Sequence, residues 1–166
     1  MLPRPLRYTL MVVDMQVGFP AVHKIASKVK KEIKIAKQLR NPIIFFEVNK
    51  KHNGETLPSL WRAVKDYSHV CWLHKDRDDG SDVAFRHFET APQFKTGHYL
   101  VCGVNTEYCV LKTAQGMAKR LRPDSSDKVV VLSGCCNSST GCTGAKAAEY
   151  IISSNRFWKL HVENQE

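Results

Sequence analysis

Six short runs of apolar, β-forming residues constrain the fold of this chain more than any other feature. They cover residues 8–13, 43–48, 70–74, 98–102, 128–132 and 157–162. A continuous apolar run, without polar residues at alternate positions, is typical of a strand buried on both faces of a parallel sheet. The pattern therefore predicts six strands covered by helices.

Helical periodicity separates these runs. From Val22 to Leu39 the apolar residues recur at helical spacing, and lysines occupy the opposite face. Further helices are predicted over 58–67, 83–88, 110–121 and 144–153, and loops over 49–56, 76–82 and 134–143. Strands that alternate with helices predict an α/β protein with a mostly parallel sheet and right-handed crossovers. The length predicts a single domain over residues 1–166.

The composition argues against several classes of protein. The net formal charge is +9, but no helix-turn-helix or ribonucleoprotein motif accompanies it, so we do not expect a nucleic-acid partner. No apolar run reaches the roughly 18 residues that a membrane span needs, and the first residues do not read as a signal peptide. The six cysteines lack a C-x-x-C pair. We therefore expect free thiols, a cytoplasmic protein and no metal or cofactor.

The segment 100–114 carries the strongest chemical signal. It reads as a buried strand, a tight turn at Gly103 and a helix whose first turn contains Cys109. A helix N-terminus carries about half a positive charge, so a thiol there is expected to ionise more readily. The alternative is that Cys109 is a small buried apolar residue. The choice between them depends on partners elsewhere in the chain.

Two such partners follow other predicted strands. Asp14 comes directly after the first strand and Lys75 directly after the third. The carboxyl ends of parallel strands share one edge of the sheet, so these side chains and Cys109 are expected to converge there. Taken alone, Asp14 could be a turn or cap residue and Lys75 an exposed strand-end lysine.

Together these residues predict a small-molecule hydrolase site. Asp14 can take the thiol proton, Lys75 can stabilise the thiolate and position the acid, and Cys109 can attack a carbonyl. The backbone N–H groups of Asn105 and Cys109 can stabilise the resulting oxyanion, while the side chain of Asn105 or Thr106 can cap the helix.

At these positions the sequence resembles the isochorismatase-like cysteine hydrolase family. The segments 13–19 and 103–109 are similar to its first-strand and nucleophile motifs, and Lys75 with Phe85 is similar to its lysine segment. The resemblance implies a three-layer, Rossmann-like sheet of order 3-2-1-4-5-6 and a cis peptide between Val104 and Asn105. It also implies a homo-oligomer, dimer or tetramer. The substrate-pocket residues that it implies are Gln16, Phe19, Phe85 and Tyr108.

The chain also departs from the family. Nicotinamidases of this family hold a metal through an Asp-x-His motif after the second strand, where this chain reads Glu-Val-Asn-Lys-Lys-His over 47–52. We therefore expect a metal-independent enzyme that cleaves a C–N bond of a small amide or ureido compound through a Cys thioester. Two alternatives stay open, namely isochorismatase-type vinyl-ether hydrolysis and a non-catalytic binding protein that kept the fold.

Overall fold

The computed structural model describes residues 5–164 and shows a six-stranded, all-parallel sheet. The strands are β1 Thr9–Val13, β2 Ile43–Val48, β3 Val70–Lys75, β4 His98–Val104, β5 Lys128–Asn137 and β6 Leu160–Glu163. Their spatial order is β3-β2-β1-β4-β5-β6, which confirms the predicted 3-2-1-4-5-6 topology.

Helices cover both faces of the sheet. They are α1 Ala26–Gln38, α2 Lys50–Asn53, α3 Pro58–Val64, α4 Ser81–Thr90, α5 Leu111–Arg120 and α6 Gly144–Ser154, with short 3-10 turns at Pro20–Lys24 and Pro92–Phe94. Helices α1 and α3 pack on the face that carries Leu10 and Phe45. Helices α4, α5 and α6 pack on the face that carries Met11 and Phe46. Alternate residues of each strand therefore enter two separate cores.

The structure corrects three predicted boundaries near the carboxyl edge of the sheet. The expected loop over 49–56 contains the short helix α2. The chain does not turn at Gly103, because β4 continues to Val104. The expected loop from 134 is strand as far as Asn137. There the register is irregular, since β5 advances from Val131 to Cys136 while β4 advances only from Val101 to Gly103.

Gly103 allows two central strands to approach closely. Its φ is +123°, and a Cβ atom at this position would lie 2.0 Å from the carbonyl oxygen of Val13. Only glycine adopts such a conformation without steric cost. This residue therefore brings the end of β4 against the end of β1, from which Asp14 follows. Within residues 5–164, no helix is both long and apolar enough to cross a membrane.

Candidate active site

Asp14 lies at the centre of the carboxyl edge of the sheet. Its side chain is fully buried, and its φ of 49° places a non-glycine residue in the left-handed region. Its backbone N–H donates to the carbonyl of Phe46 on β2, 3.0 Å away. This turn directs the chain out of β1 and leaves the carboxylate beneath the surface. Such strained positions in a fold tend to occur at functional sites.

Lys75 ends β3 and reaches across β2 to Asp14. Its Nζ donates to Asp14 Oδ2 over 2.8 Å, to the carbonyl of Arg77 over 3.0 Å and to that of Asp78 over 3.3 Å. An ammonium group has three donors, so these contacts use all of them. Both charged side chains of the pair are essentially inaccessible to solvent. The predicted meeting of the two strand ends is thus present in the structure.

Burial and charge act in opposite directions on Asp14. Removal of the carboxyl from water raises its pKa above the ordinary value of 3.8, while Lys75 and neighbouring hydrogen bonds lower it, and burial is the larger effect. Its Oδ1 atom has no hydrogen-bond partner within residues 5–164. One carboxylate oxygen is therefore held by Lys75, and the other is available to accept a proton.

Cys109 is buried beside this pair. It lies in a π-helical turn, Thr106–Val110, that leads into α5, and 5% of its surface is exposed. Burial raises the pKa of its thiol, and the negative charge of Asp14 adds to the effect, although Lys75 opposes it. The expectation that the helix start would promote ionisation is therefore wrong. Desolvation of the thiolate outweighs the partial charge of the helix.

Asn105 connects β4 to the turn that carries Cys109. The peptide bond between Val104 and Asn105 is cis. The Asn105 carbonyl accepts hydrogen bonds from the N–H groups of Tyr108 and Val110, each over 3.1 Å. Neither expected side-chain cap forms: Asn105 makes no cap hydrogen bond, and the Thr106 hydroxyl donates instead to the Cys142 carbonyl, 2.7 Å away.

Asp78 is a site residue that the sequence interpretation missed. Its Oδ1 atom lies 3.6 Å from Cys109 Sγ, within the range of a thiol hydrogen bond. The sequence predicts a loop over 76–82, but no periodicity fixes the course of a loop, so its contact with the thiol could not be inferred. The available signal was the run of acids that begins directly after Lys75.

A cleft of about 490 Å³ lies beside Lys75 and is lined by residues of this loop and of the first turns of α4. Its walls carry charges of both signs, from Lys75, Asp76, Arg77, Asp79, Asp82 and Arg86 together with Val83. Neither Asp14 nor Cys109 contributes to its lining. The cleft therefore contacts the Asp14–Lys75 pair from the side of Lys75.

The four expected pocket residues occupy different settings. Gln16 is buried, and its side-chain amide donates to the carbonyls of Val48 and Gly54 and accepts from the Val48 N–H. It thus holds the segments after β1 and β2 together. Phe19 and Phe85 are partly buried at the margins of opposite cores. Tyr108 is 59% exposed, next to Cys109 in the chain.

The region after β2 is built around hydrogen bonds of Glu47. The buried carboxylate of Glu47 accepts from both the N–H and the hydroxyl of Thr56, at 2.9 Å each. Its other oxygen lies 3.9 Å from Lys50 and 3.6 Å from His74. Within the described part of the chain, no group of three or more His, Cys, Asp or Glu residues is placed to hold a metal ion.

Comparison with known proteins agrees with this architecture. The chain is 28% identical over 115 residues to isochorismatase domain-containing protein 2 of Bos taurus, covering 67% of this chain and 52% of that protein. This similarity supports the isochorismatase-like family. It spans about half the length of this curated relative. No family model matches the sequence.

Solved structures show the same isochorismatase-like fold. A ribonuclease described as MAR1 from Caenorhabditis elegans superposes with a TM-score of 0.72 at 19% identity, covering 95% of this chain and 79% of that one. A nicotinamidase from Staphylococcus aureus gives 0.69 at 19% identity, covering 90% and 94%. At this identity the likeness establishes the fold, and the activity must be argued from the site.

Proposed function

We propose that this isochorismatase-like chain is a cysteine hydrolase that cleaves the C–N bond of a small amide or ureido compound. The observation that supports it best is the buried pair of Asp14 and Lys75, 2.8 Å apart, beside the thiol of Cys109. A lysine that holds one carboxylate oxygen leaves the other oriented to exchange a proton with a nucleophile. A buried cysteine with a purely structural role needs neither group.

In this mechanism the attack and the proton transfer are coupled. Because burial keeps the resting thiol protonated, Asp14 takes the proton as Sγ bonds to the carbonyl carbon of the substrate. Lys75 stays in contact with Asp14 and balances the charge of the thiolate. The carbonyl oxygen becomes an oxyanion, for which we propose the backbone N–H groups of Asn105 and Cys109 as donors.

The intermediate then collapses in the forward direction. Asp14 returns the proton to the leaving nitrogen, the C–N bond breaks, and an acyl group remains on Cys109 as a thioester. Water, deprotonated by Asp14, attacks the thioester carbonyl. The C–S bond breaks, Cys109 recovers the proton, and the acid is released.

Cys109→Ala, assayed against a panel of small amides and ureido compounds, tests this proposal. We expect turnover to fall by at least about 10³-fold, because loss of the nucleophile removes the covalent route. Cys71→Ala is the matched control, since this half-buried cysteine lies at the start of β3, away from Lys75, and is expected to keep activity.

The remaining outcomes discriminate between the alternatives. Amide turnover that survives Cys109→Ala would contradict the thioester mechanism, and turnover of a vinyl ether by that variant would favour acid-catalysed chemistry through Asp14. Absence of turnover from both variants and the native chain would favour a binding protein.

We further propose that residues 1–166 form one domain, with Gln16, Phe19, Phe85 and Tyr108 near the substrate. A homo-oligomer is also proposed and can be tested by light scattering.

A further inference from the structure

The loop that carries Asp78 is fixed over the thiol from two sides. The Asp78 carbonyl accepts hydrogen bonds from Lys75 Nζ and from the hydroxyl of Thr113 on α5, each over 3.3 Å. Two residues later, the N–H of Gly80 donates to the same Thr113 hydroxyl over 2.9 Å. The backbone at Asp78 is thus tied to the sheet and to α5. Its carboxylate is therefore held against the thiol of Cys109, although the residue itself is exposed.

The charges around the thiol do not cancel. Lys75 is matched by Asp14 in a buried ion pair. Asp78 forms no ion pair with any basic side chain between residues 5 and 164, and its carboxylate contacts the thiol. Arg77 and Arg86 line the cleft beside Lys75 together with Asp76, Asp79 and Asp82, and neither arginine forms a salt bridge with Asp78 in the described part of the chain. One negative charge therefore remains next to Cys109, and Asp14 Oδ1 is a second, buried acceptor with no hydrogen-bond partner among residues 5–164.

We propose that Asp78 is a specificity-determining residue, which selects substrates that carry a cation or several N–H donors beside the scissile bond. Ammonium, amidinium and guanidinium groups are the chemical class that fits. Such a group would replace the thiol as the partner of Asp78 Oδ1 in a charge-assisted hydrogen bond. A carboxylate at the same place would be repelled. As a statement about substrates, the proposal rests on the hydrolase function proposed above.

Charged thiol reagents measure this selection without a known substrate. Cationic 2-(trimethylammonium)ethyl methanethiosulfonate and anionic 2-sulfonatoethyl methanethiosulfonate carry opposite charges on similar groups. In each reaction Sγ bonds to the thioalkyl sulfur, the bond to the sulfonyl sulfur breaks, methanesulfinate leaves with the electron pair, and the thiol proton passes to the medium. Mass spectrometry of the peptide containing Cys109 separates its rate from those of the other five cysteines.

The measured quantity is the ratio of cationic to anionic rate at Cys109, divided by the same ratio for a free small thiol. The thiolate fraction cancels in this ratio, so a change in the thiol pKa cannot imitate selection. We expect the native chain to favour the cation by about tenfold, as for one solvent-exposed charge a few ångströms away that water and salt partly screen. Asp78→Asn should bring the ratio close to that of the free thiol. Asp66→Asn, which removes an exposed acid outside this loop, should leave it unchanged.

The other outcomes of the rate comparison overturn the proposal. A ratio near that of the free thiol in the native chain, or one that Asp78→Asn does not alter, would show that the carboxylate does not select charge. An equal loss of rate with both reagents would make Asp78 a base or a structural residue. If Asp78→Asn fails to fold, Asp78→Glu decides the matter, because the charge is kept and the preference must persist. Failure to hydrolyse any amide, with the preference intact, would refute the hydrolase proposal but not charge selection at this thiol.

Discussion

Lys75→Met removes one partner of a fully buried ion pair, and its cost can be worked from the structure. The Nζ of Lys75 and Oδ2 of Asp14 are 2.8 Å apart, and their side chains are at most 1% exposed. Loss of one partner of such a pair costs about 3–5 kcal/mol while the other stays ionised. The carbonyls of Arg77 and Asp78 lose a donor at the same time. We expect the free energy of unfolding of Lys75→Met to be lower by about 3–5 kcal/mol at neutral pH.

The sign of the pH dependence follows from Asp14. Its pKa in the native chain is already raised above 3.8 by burial, and loss of Lys75 removes the main opposing interaction. A folded state with a raised carboxyl pKa binds the proton more tightly than the unfolded state. Its free energy of unfolding therefore falls as pH rises from 3.8 through the folded pKa. In Lys75→Met this window extends further upward, so the variant should recover stability as the pH is lowered.

Urea unfolding followed by circular dichroism, at about pH 5 and about pH 8, measures both effects. The double variant Lys75→Met with Asp14→Asn carries neither charge, so it should lose only about 1–2 kcal/mol and show little dependence on pH. Lys28→Met, on the exposed face of α1, is the control for loss of a lysine. A cost below about 1 kcal/mol at both pH values, without recovery in acid, would refute the coupling inferred here.

Three further predictions concern Gly103, Cys109 and Gln16. Gly103→Ala should lower the free energy of unfolding in urea by about 2–4 kcal/mol, through strain and the clash with a carbonyl. Gly141→Ala also places a side chain at a positive φ, but in open space, and should lower it by only about 1–2 kcal/mol. The rate of Cys109 alkylation by iodoacetamide, followed by mass spectrometry, should still be rising above pH 9.0, because burial raises its pKa; a plateau below that pH would contradict this. Gln16→Leu should lower the free energy of unfolding by about 2–4 kcal/mol in the same urea experiment, because backbone groups of Val48 and Gly54 lose their hydrogen-bond partner. An unchanged free energy of unfolding would show that Gln16 does not hold these segments together.

The sheet and its active edge were predictable because both depend on patterns of single residue types. Strands buried on both faces require continuous apolar runs, and parallel strands place the residues that follow them on one edge. Asp14, Lys75 and Cys109 could therefore be assigned to one edge without knowledge of any contact. The strand order, in contrast, followed from the family resemblance.

The parts that failed depend on contacts that no local pattern records. β5 continues to Asn137 through Gly134 and two cysteines because it pairs with β4 across an irregular register. Small residues there resemble a loop in sequence, but neighbouring strands supply the hydrogen bonds. The carboxylate of Asp78 reaches the thiol because Lys75 and Thr113 hold its backbone. Such a position is set by tertiary structure, and composition shows only that acids are present.

The raised pKa of Cys109 is compatible with nucleophilic attack because the transfer to Asp14 conserves charge. Before transfer the buried group consists of a carboxylate, an ammonium and a neutral thiol, and afterwards of a neutral acid, the same ammonium and a thiolate. The net charge of these three side chains is zero in both states, so transfer does not bury a new net charge. Burial raises the pKa of both Asp14 and Cys109, and Lys75 opposes both shifts. In the proposed reaction, the relevant quantity is therefore the difference between two pKa values in one environment, which burial alters less than either value alone.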